Sequence, residues 1–362
     1  MQVYWEGQEK EWIFVGEQNV MRKLKAENQI MANWKGDPSQ PLVSICCITY
    51  NHENYIEDAL EGFLIQETDF PFEILINDDA STDKTADIIR EYEAKYPKLI
   101  KPIYQTENQF SQGISPNWKF NFPRARGKYI ALCEGDDYWI STNKLQKQVR
   151  EVLEVNSQYG FVYSDVLYVD QSNKVITPPL TYQNFKNRNR NGYLFWDLLL
   201  NGNFILTVSV VIRKELIEIQ HKWFYFDYWL FLDIARKTKF CFINDQIVAY
   251  RRHPGGLIIS NKSYISDKYK WTILDILDRF LFEEDNIFKN QAKIANHFKI
   301  SYILTKLIHV FCFKLHMFPL KLRKIIVRKP QLLVGAFLSV LFILIRKIWR
   351  LCCERQKAKF FR

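Results

Sequence analysis

The chain has 362 residues, of which 48% are hydrophobic and 25% are charged, with 13 Gly and 12 Pro. These values are typical of a folded protein long enough for more than one packed unit, and they exclude disordered, collagen-like and disulfide-scaffold classes. The 7 cysteines show no CxxC spacing, which favours a reducing compartment and excludes the common structural zinc patterns.

The net charge of +10 is concentrated at the C-terminal end of the chain. Residues 297–362 contain 15 Lys and Arg against one acidic residue, whereas the remainder holds 35 basic and 39 acidic residues. The basic residues alternate with Leu, Ile, Phe and Trp, a pattern typical of a segment on an anionic membrane surface rather than of a nucleic-acid-binding face. We therefore predict an anionic membrane surface, and no nucleic acid, as a partner.

The longest apolar run, residues 332–345, is shorter than the roughly 20 residues that a bilayer-spanning helix needs. It is expected to lie in the membrane interface, with a buried core helix as the alternative. The first twelve residues mix acidic and aromatic side chains and do not resemble a secretory signal. These features predict a cytoplasmic protein that associates peripherally with the inner face of the cell membrane.

In chain order, residues 1–40 form an N-terminal extension with a helical stretch near 20–34, and a different pattern begins at residue 41. Short apolar runs then alternate with amphipathic stretches, which predicts an α/β domain over 41–260 with a mostly parallel sheet. Residues 261–362 are assigned to a helical C-terminal region. The predicted strands are 42–48, 72–76, 100–104, 129–133, 161–166, 204–212 and 240–250, and the predicted helices are 55–66, 86–96, 143–155 and 227–237.

Three of the predicted strands end in polar residues, at 49–52, 77–83 and 134–137. Ligands of parallel sheets bind outside the carboxyl ends of the strands, so these segments are the candidate site. No GxGxxG follows the first strand, and the Gly-Lys pair at 127–128 lacks the remainder of a P-loop. A nicotinamide-dependent dehydrogenase and a P-loop ATPase are therefore disfavoured.

The two acidic strand ends suit different parts of a nucleotide ligand. Glu134, Asp136 and Asp137 would repel a bare phosphate, so a phosphate site here requires a bridging Mn²⁺ or Mg²⁺. Asp78 and Asp79 can accept hydrogen bonds from a uracil-type base and its ribose, and the Tyr50 ring can lie against the base. The alternative for both clusters is a solvated turn that caps the following helix.

The ordered motifs of residues 41–170 resemble the inverting family 2 glycosyltransferases of the GT-A fold, of the bacterial surface-polysaccharide type. The resemblance rests on the Thr-Tyr-Asn end of the first strand, the Asp-Asp-Ala-Ser-Thr-Asp segment at 78–83 and the DxD-like Glu-Gly-Asp-Asp-Tyr-Trp segment at 134–139. It continues through Asp-Tyr-Trp-Leu at 227–230 and Tyr-Arg-Arg-His-Pro-Gly-Gly at 250–256. The DxD-like motif departs from the family pattern by having Glu134 in place of the first aspartate.

The resemblance implies that a sugar is transferred with inversion from a nucleotide diphosphate, usually UDP. It assigns the general base to Asp227, and it assigns metal binding to Asp136 with Asp137, Glu134 and His253 as further candidates. Arg251, Arg252 or His253 would stabilise the leaving diphosphate, and Arg252 is our choice. The residues assigned to the nucleotide sugar are Thr49, Tyr50, Asn51, Asp78, Asp79 and Arg252, with Asn203 lining the acceptor pocket.

The expected activity is a metal-dependent transfer from a nucleotide-sugar donor to a glycan or lipid-linked glycan, in surface polysaccharide, lipopolysaccharide or capsule synthesis. One alternative is a sugar-1-phosphate nucleotidyltransferase, which normally carries a Gly-rich, Arg-containing loop where this chain has Thr-Tyr-Asn-His. A second alternative is a catalytically inactive module that binds a sugar nucleotide at the membrane.

Overall fold

The computed structural model describes residues 24–179, 182–183, 190–195, 197–198, 203–218 and 226–256. The chain divides into two units, Met1–Ile276 and Leu277–Arg362, and all described residues belong to the first. The predicted basic tail and the start of the predicted helix near 20–34 lie outside the described residues. Within the described ranges, no helix has both the length and the apolar character that crossing a membrane requires.

The described residues form an eight-stranded sheet in the order β3-β2-β1-β4-β7-β6-β8-β5. Strands β1 to β4 pair in parallel, β6 pairs in parallel with β8, and β7 and β5 are antiparallel to their neighbours. This arrangement confirms the predicted α/β fold with a mostly parallel sheet. The strands are β1 (Val43–Thr49), β2 (Phe72–Asp78), β3 (Ile100–Tyr104), β4 (Tyr129–Glu134), β5 (Tyr138–Trp139), β6 (Tyr159–Asp170), β7 (Val211–Arg213) and β8 (Lys239–Arg252).

Helix α1 precedes β1, and the other helices lie between the strands in chain order, as the alternating pattern predicts. They are α1 (Glu27–Met31), α2 (Ile56–Leu64), α3 (Thr85–Lys95), α4 (Phe122–Arg124), α5 (Lys144–Gln146) and α6 (Phe226–Ala235). Wider π-type turns, Asn117–Asn121 and Lys147–Leu153, precede α4 and continue α5. Asp83, two residues before α3, accepts hydrogen bonds from the backbone N–H and the hydroxyl of Thr85, the first residue of the helix.

The central strands are buried on both faces, which is why their sequences read as continuous apolar runs. One face of β1 and β2 packs on α2, where Leu60 and Phe63 are fully buried. Gly62 of α2 allows a close approach to β5, since a Cβ at this position would stand 2.8 Å from the Trp139 backbone nitrogen. Helix α2 therefore holds β5, the strand that directly follows the acidic turn at 134–137.

The prediction of a strand over 204–212 is wrong for most of its length. The chain instead forms a 3₁₀ turn at Thr207–Ser209, and only Val211–Arg213 pairs in the sheet. Buried side chains take the backbone carbonyls of this segment, because Trp139 Nε1 donates to the Val208 oxygen at 3.0 Å and Gln148 Nε2 donates to the Ser209 oxygen at 2.8 Å. These tertiary contacts satisfy the backbone without a strand ladder.

Candidate active site

The carboxyl ends of β1, β2 and β4 meet at one edge of the sheet. In the parallel register Thr49 lies beside Asp78, and Ile48 lies beside Glu134. The three polar strand ends of the sequence therefore stand side by side, as expected for parallel strands. The fold also brings the last residues of β8 to this edge, because β5 pairs antiparallel with β8.

The side chain of Asp136 lies between two imidazoles. Its Oδ2 atom is 3.0 Å from His253 Nε2 and 3.8 Å from His52 Nε2, and the three ligand-type atoms lie within 4.8 Å of one another. The two imidazole rings are nearly perpendicular, with centroids 6.1 Å apart. We call His52, Asp136 and His253 the cation triad.

The ring of His52 is held from its other nitrogen. Thr49 Oγ1 is 3.1 Å from His52 Nδ1, so Nε2 is the atom that faces Asp136. Gly135 makes this approach possible, because a Cβ there would lie 2.6 Å from Thr49 Oγ1 and 3.0 Å from His52 Nδ1. An outer hydrogen bond that fixes an imidazole in this way is typical of metal-binding histidines.

The charge state of the cation triad suits a divalent cation. Burial lowers the pKa of His52, which favours the neutral imidazole that a metal requires. Burial raises the pKa of Asp136, but the proximity of His52 and the hydrogen bond from His253 outweigh it and hold that pKa below its usual value. Two nitrogen donors and one ionised carboxylate oxygen fit a divalent transition metal such as Mn²⁺.

Glu134 and Asp227 form a second acidic group beside the cation triad. Burial, followed by the charges of Asp136 and Asp227, raises the pKa of Glu134 to about 8. Asp227 lies in the first turn of α6, where its Oδ2 accepts a hydrogen bond of 3.1 Å from Asn203 Nδ2, and burial raises its pKa. The fold therefore places Asn203 against Asp227, and Asp227 within electrostatic range of Glu134.

The carboxylates at the end of β2 are satisfied by protein donors. Asp78 accepts a 2.5 Å hydrogen bond from the Ser81 hydroxyl. Both oxygens of Asp79 accept backbone N–H groups, from Gln109 at 2.8 Å and from Phe110 at 2.9 Å. Burial raises the pKa of both aspartates.

The loop after β1 is tied to the loop after β2 and presents one exposed ring. Asn51 has a left-handed backbone with φ of 54°, its N–H donates to the Ser81 hydroxyl at 2.9 Å, and its Oδ1 accepts the Thr82 N–H at 2.8 Å. Tyr50 is 43% exposed at this edge. Of the residues assigned to the nucleotide, Tyr50 offers an exposed aromatic ring, whereas Thr49 bonds to His52.

Three further candidates, Asp137, Arg251 and Arg252, differ in the burial of their side chains. Asp137 is buried, and its Oδ1 accepts the Arg251 backbone N–H at 2.8 Å instead of joining the cation triad. Arg251 is buried with a 1% exposed side chain, whereas the neighbouring Arg252 is exposed. Of the two arginines, Arg252 is therefore the one that can meet a diphosphate.

His52 was not predicted as a candidate ligand, although the strand end that contains it was identified in the sequence. A usable signal was present, because His52 is the only His, Cys, Asp or Glu of the 49–52 segment and follows a strand that ends beside β4.

Comparison with known proteins gives a consistent family. Residues 44–217 match the model of glycosyl transferase family 2. An uncharacterized protein of Mycobacterium tuberculosis is 39% identical over 218 residues, and the match covers 59% of this chain and 60% of that protein. The chain thus matches about three fifths of the length of the first of its curated relatives.

Two of the relatives have names that specify a biosynthetic pathway or a reaction. The putative teichuronic acid biosynthesis glycosyltransferase TuaG of Bacillus subtilis is 32% identical over 187 residues, which cover 51% of this chain and 65% of TuaG. The Escherichia coli UDP-Glc:alpha-D-GlcNAc-diphosphoundecaprenol beta-1,3-glucosyltransferase WfgD is 26% identical over 242 residues, which cover 64% of this chain and 85% of WfgD.

Among solved structures, the mannosyltransferase PcManGT of Pyrobaculum calidifontis, in complex with GDP-Man and Mn²⁺, superposes with a TM-score of 0.50. The superposition covers 84% of this chain and 85% of PcManGT at 15% identity, so it supports the GT-A fold alone. Together with the family match and the strand-end motifs, it confirms the resemblance seen in the sequence. Residues 44–217 are therefore similar to glycosyl transferase family 2.

Proposed function

We propose that the protein is a metal-dependent, inverting glycosyltransferase that moves a sugar from a nucleotide diphosphate to a hydroxyl of a glycan or lipid-linked glycan. The observation that carries this proposal is the single sheet edge at which the cation triad, the Glu134–Asp227 pair and the exposed Tyr50 ring stand together. The cation triad suits a cation-bound diphosphate, the Glu134–Asp227 pair suits an acceptor hydroxyl, and the Tyr50 ring suits a nucleobase.

In this proposal the cation triad holds a divalent cation, which supplies charge neutralisation for the leaving diphosphate when it is bound. His52 and His253 contribute ring nitrogens, and Asp136 contributes a carboxylate oxygen. Glu134 and Asp137 remain candidates for the cation's outer contacts. Exposed Arg252 lies next in the chain to His253 and adds positive charge for the diphosphate.

Asp227 is proposed to act as the general base that removes the proton of the attacking acceptor hydroxyl. Inversion by a single displacement needs one base on the face opposite the leaving group, by analogy with inverting glycosidases. Burial raises the pKa of the Asp227 carboxylate, which makes it a stronger base than an exposed aspartate. The hydrogen bond from Asn203 orients the carboxylate and extends the polar surface on the acceptor side.

The donor is proposed to be a UDP-sugar. The base and ribose would lie at the ends of β1 and β2. The residues around these strand ends are Asp78, Asp79, Thr49, Tyr50 and Asn51. WfgD uses UDP-Glc, by its name, and PcManGT was solved with GDP-Man, so the choice of base must be tested directly.

The acceptor is proposed to be a surface glycan under construction, at the inner face of the cell membrane. TuaG is named for teichuronic acid synthesis, and the name of WfgD specifies a diphosphoundecaprenol-linked sugar as its acceptor. The basic and apolar composition of residues 297–362 is consistent with work at an anionic membrane surface.

The test is a donor panel with the full chain. UDP- and GDP-sugars are incubated with Mn²⁺, with Mg²⁺ or with EDTA, and released nucleoside diphosphate is measured. We expect slow hydrolysis of one donor, lost with EDTA, and an inverted anomeric configuration in the product by NMR. Asp87→Asn, which alters an exposed carboxylate on α3, is the matched control for the Asp136→Asn variant in this assay.

Two results would overturn the proposal. Release of pyrophosphate from a nucleoside triphosphate and a sugar-1-phosphate would indicate a nucleotidyltransferase. Tight donor binding with no turnover for any acceptor fraction would indicate an inactive binding module.

A further inference from the structure

We propose that Arg251 is a positioning residue, whose buried guanidinium fixes the acidic turn at 134–137 so that Asp136 points between the two imidazoles. The proposal rests on the proposed function, because it assumes that the cation triad binds a divalent cation. It gives Arg251 a role that differs from contact with the leaving diphosphate.

Arg251 contacts the acidic turn at two consecutive residues. Its backbone N–H donates to Asp137 Oδ1 at 2.8 Å, and its Nη1 donates to the Asp136 backbone oxygen at 3.0 Å. The Nη1 contact holds the backbone from which the Asp136 side chain projects, and the backbone contact holds the side chain of the next residue, Asp137. The direction of that side chain therefore depends on where the guanidinium sits.

The guanidinium is itself anchored to two other elements. Nη2 donates to Asp58 Oδ2 of α2 at 2.5 Å and to Asn173 Oδ1 at 2.6 Å, in the turn that follows β6. Asn173 Nδ2 also donates to Asp58 Oδ2 at 3.2 Å, and Asn173 has a left-handed φ of 64°. We call Arg251, Asp58 and Asn173 the anchor cluster, which joins segments far apart in the sequence.

Two tyrosine rings enclose the guanidinium and connect it with the second imidazole. The Arg251 Cζ atom is 4.8 Å from the Tyr55 ring centroid and 4.9 Å from that of Tyr138. The centroid of the Tyr55 ring lies 4.5 Å from the centroid of the His253 ring. The arginine is therefore linked to Asp136 through the turn and to His253 through a ring contact.

A lysine would not replace this arginine. The planar guanidinium of Arg251 donates from Nη1 to the turn and from Nη2 to Asp58 and Asn173, and it packs against aromatic rings. A lysine ammonium group is a compact point charge and does not have this geometry. Only 1% of the Arg251 side chain is exposed, so it does not reach a ligand at the edge of the sheet. Outer contacts that orient metal ligands typically change metal affinity by roughly 10–100-fold when they are removed.

The experiment measures Mn²⁺ binding directly, by the loss of the free Mn²⁺ EPR signal on titration of the full chain. We expect Arg251→Lys and Asp58→Asn each to weaken Mn²⁺ binding by roughly 10–100-fold. Excess Mn²⁺ should restore most of kcat in both variants, because the cation ligands are unchanged. A role in folding alone would lower Tm and leave the Mn²⁺ affinity unaltered.

Glu73→Gln is the matched control for loss of a buried ion pair. Glu73 is 3% exposed and pairs with Arg126 at 2.6 Å, near the amino end of β2, away from the acidic turn. We expect this variant to lower Tm without a change in Mn²⁺ affinity.

The outcomes separate the two proposals. If the unmodified chain binds no Mn²⁺, the proposed cation site is wrong. If it binds Mn²⁺ and both Arg251→Lys and Asp58→Asn bind it equally well, the positioning role is overturned. Should Arg251→Lys not fold, Asp58→Asn and Asn173→Ala decide by the same titration.

Discussion

The acidic residues at the ends of β2 and β4 stand at the same edge of the sheet but are satisfied in different ways. Asp78 and Asp79 accept hydrogen bonds from Ser81 and from two backbone N–H groups within the protein. Glu134 instead feels the negative charges of Asp136 and Asp227. The end of β2 is therefore a preformed polar surface, whereas the end of β4 brings together carboxyl groups whose ionised forms a cation would stabilise.

Substitution of the proposed base gives the largest expected effect at the β4 side. We expect Asp227→Asn to lower kcat by about 10²–10⁴-fold, the usual contribution of a general base, with little change in donor affinity. The measurement is kcat with saturating donor and acceptor, and donor binding by calorimetry. Unchanged kcat would remove Asp227 from the mechanism.

The pH profile of kcat provides a control for this role. Because burial raises the pKa of Asp227, activity should fall on acidification at a higher pH than for an ordinary aspartate, since the base must be ionised. The Asn203 hydrogen bond lowers that pKa, so Asn203→Ala should shift the acidic limb to still higher pH. A shift to lower pH would contradict the assignment.

Removal of the central carboxylate of the cation triad is expected to have the next largest effect. Asp136→Asn should abolish measurable Mn²⁺ binding and lower kcat/KM by about 10²–10³-fold, the cost of losing one group that stabilises developing charge. Asp79→Asn, tested in the same Mn²⁺ titration, should bind Mn²⁺ normally. Equal loss in both variants would show that the two strand ends form one cation site.

The close approach between the β1 and β4 loops is tested by a small change. In Gly135→Ala the new Cβ would lie 2.6 Å from Thr49 Oγ1 and 3.0 Å from His52 Nδ1, which must displace the imidazole. We expect Mn²⁺ affinity to fall by roughly 10–100-fold, as for other changes that misalign a metal ligand. Thr49→Val, which removes only the hydroxyl contact to His52, should show a smaller loss in the same titration.

The smallest expected effect is at the β2 side, and it is an effect on stability. Asp79→Asn replaces one acceptor oxygen by a donor facing a backbone N–H, which should lower the free energy of unfolding by about 1–3 kcal/mol. Urea denaturation measures this change. A stability equal to that of the unmodified chain would mean that these backbone contacts contribute little.

Local sequence patterns were sufficient for most of the sheet. The runs predicted at 42–48 and 72–76 correspond to β1 and β2, because a strand buried on both faces is a largely continuous apolar run. The pattern failed at 204–212, where an equally apolar run becomes a 3₁₀ turn once Trp139 and Gln148 bond to its carbonyls. Periodicity carries no information about such distant donors.

The candidate site was predictable in part for a similar reason. The acidic strand ends were identified because residues that follow parallel strands share one edge of the sheet. His52 was missed, and the buried state of Arg251 was not foreseen, because each depends on partners that are remote in the sequence. Arg251 reaches Asp58 across 193 residues, a contact that no local pattern contains.

The sequence by itself determined the α/β class, the polar edge and the family, since these follow from periodicity and from short ordered motifs. The tertiary structure decided which side chains at that edge face one another and which form hydrogen bonds with the surrounding protein instead. Asp136 meets two imidazoles while Asp137, its neighbour, turns to the Arg251 backbone. Successive residues of a turn point in different directions, and only the packing of β8 and α2 against the turn sets which one is turned towards the imidazoles.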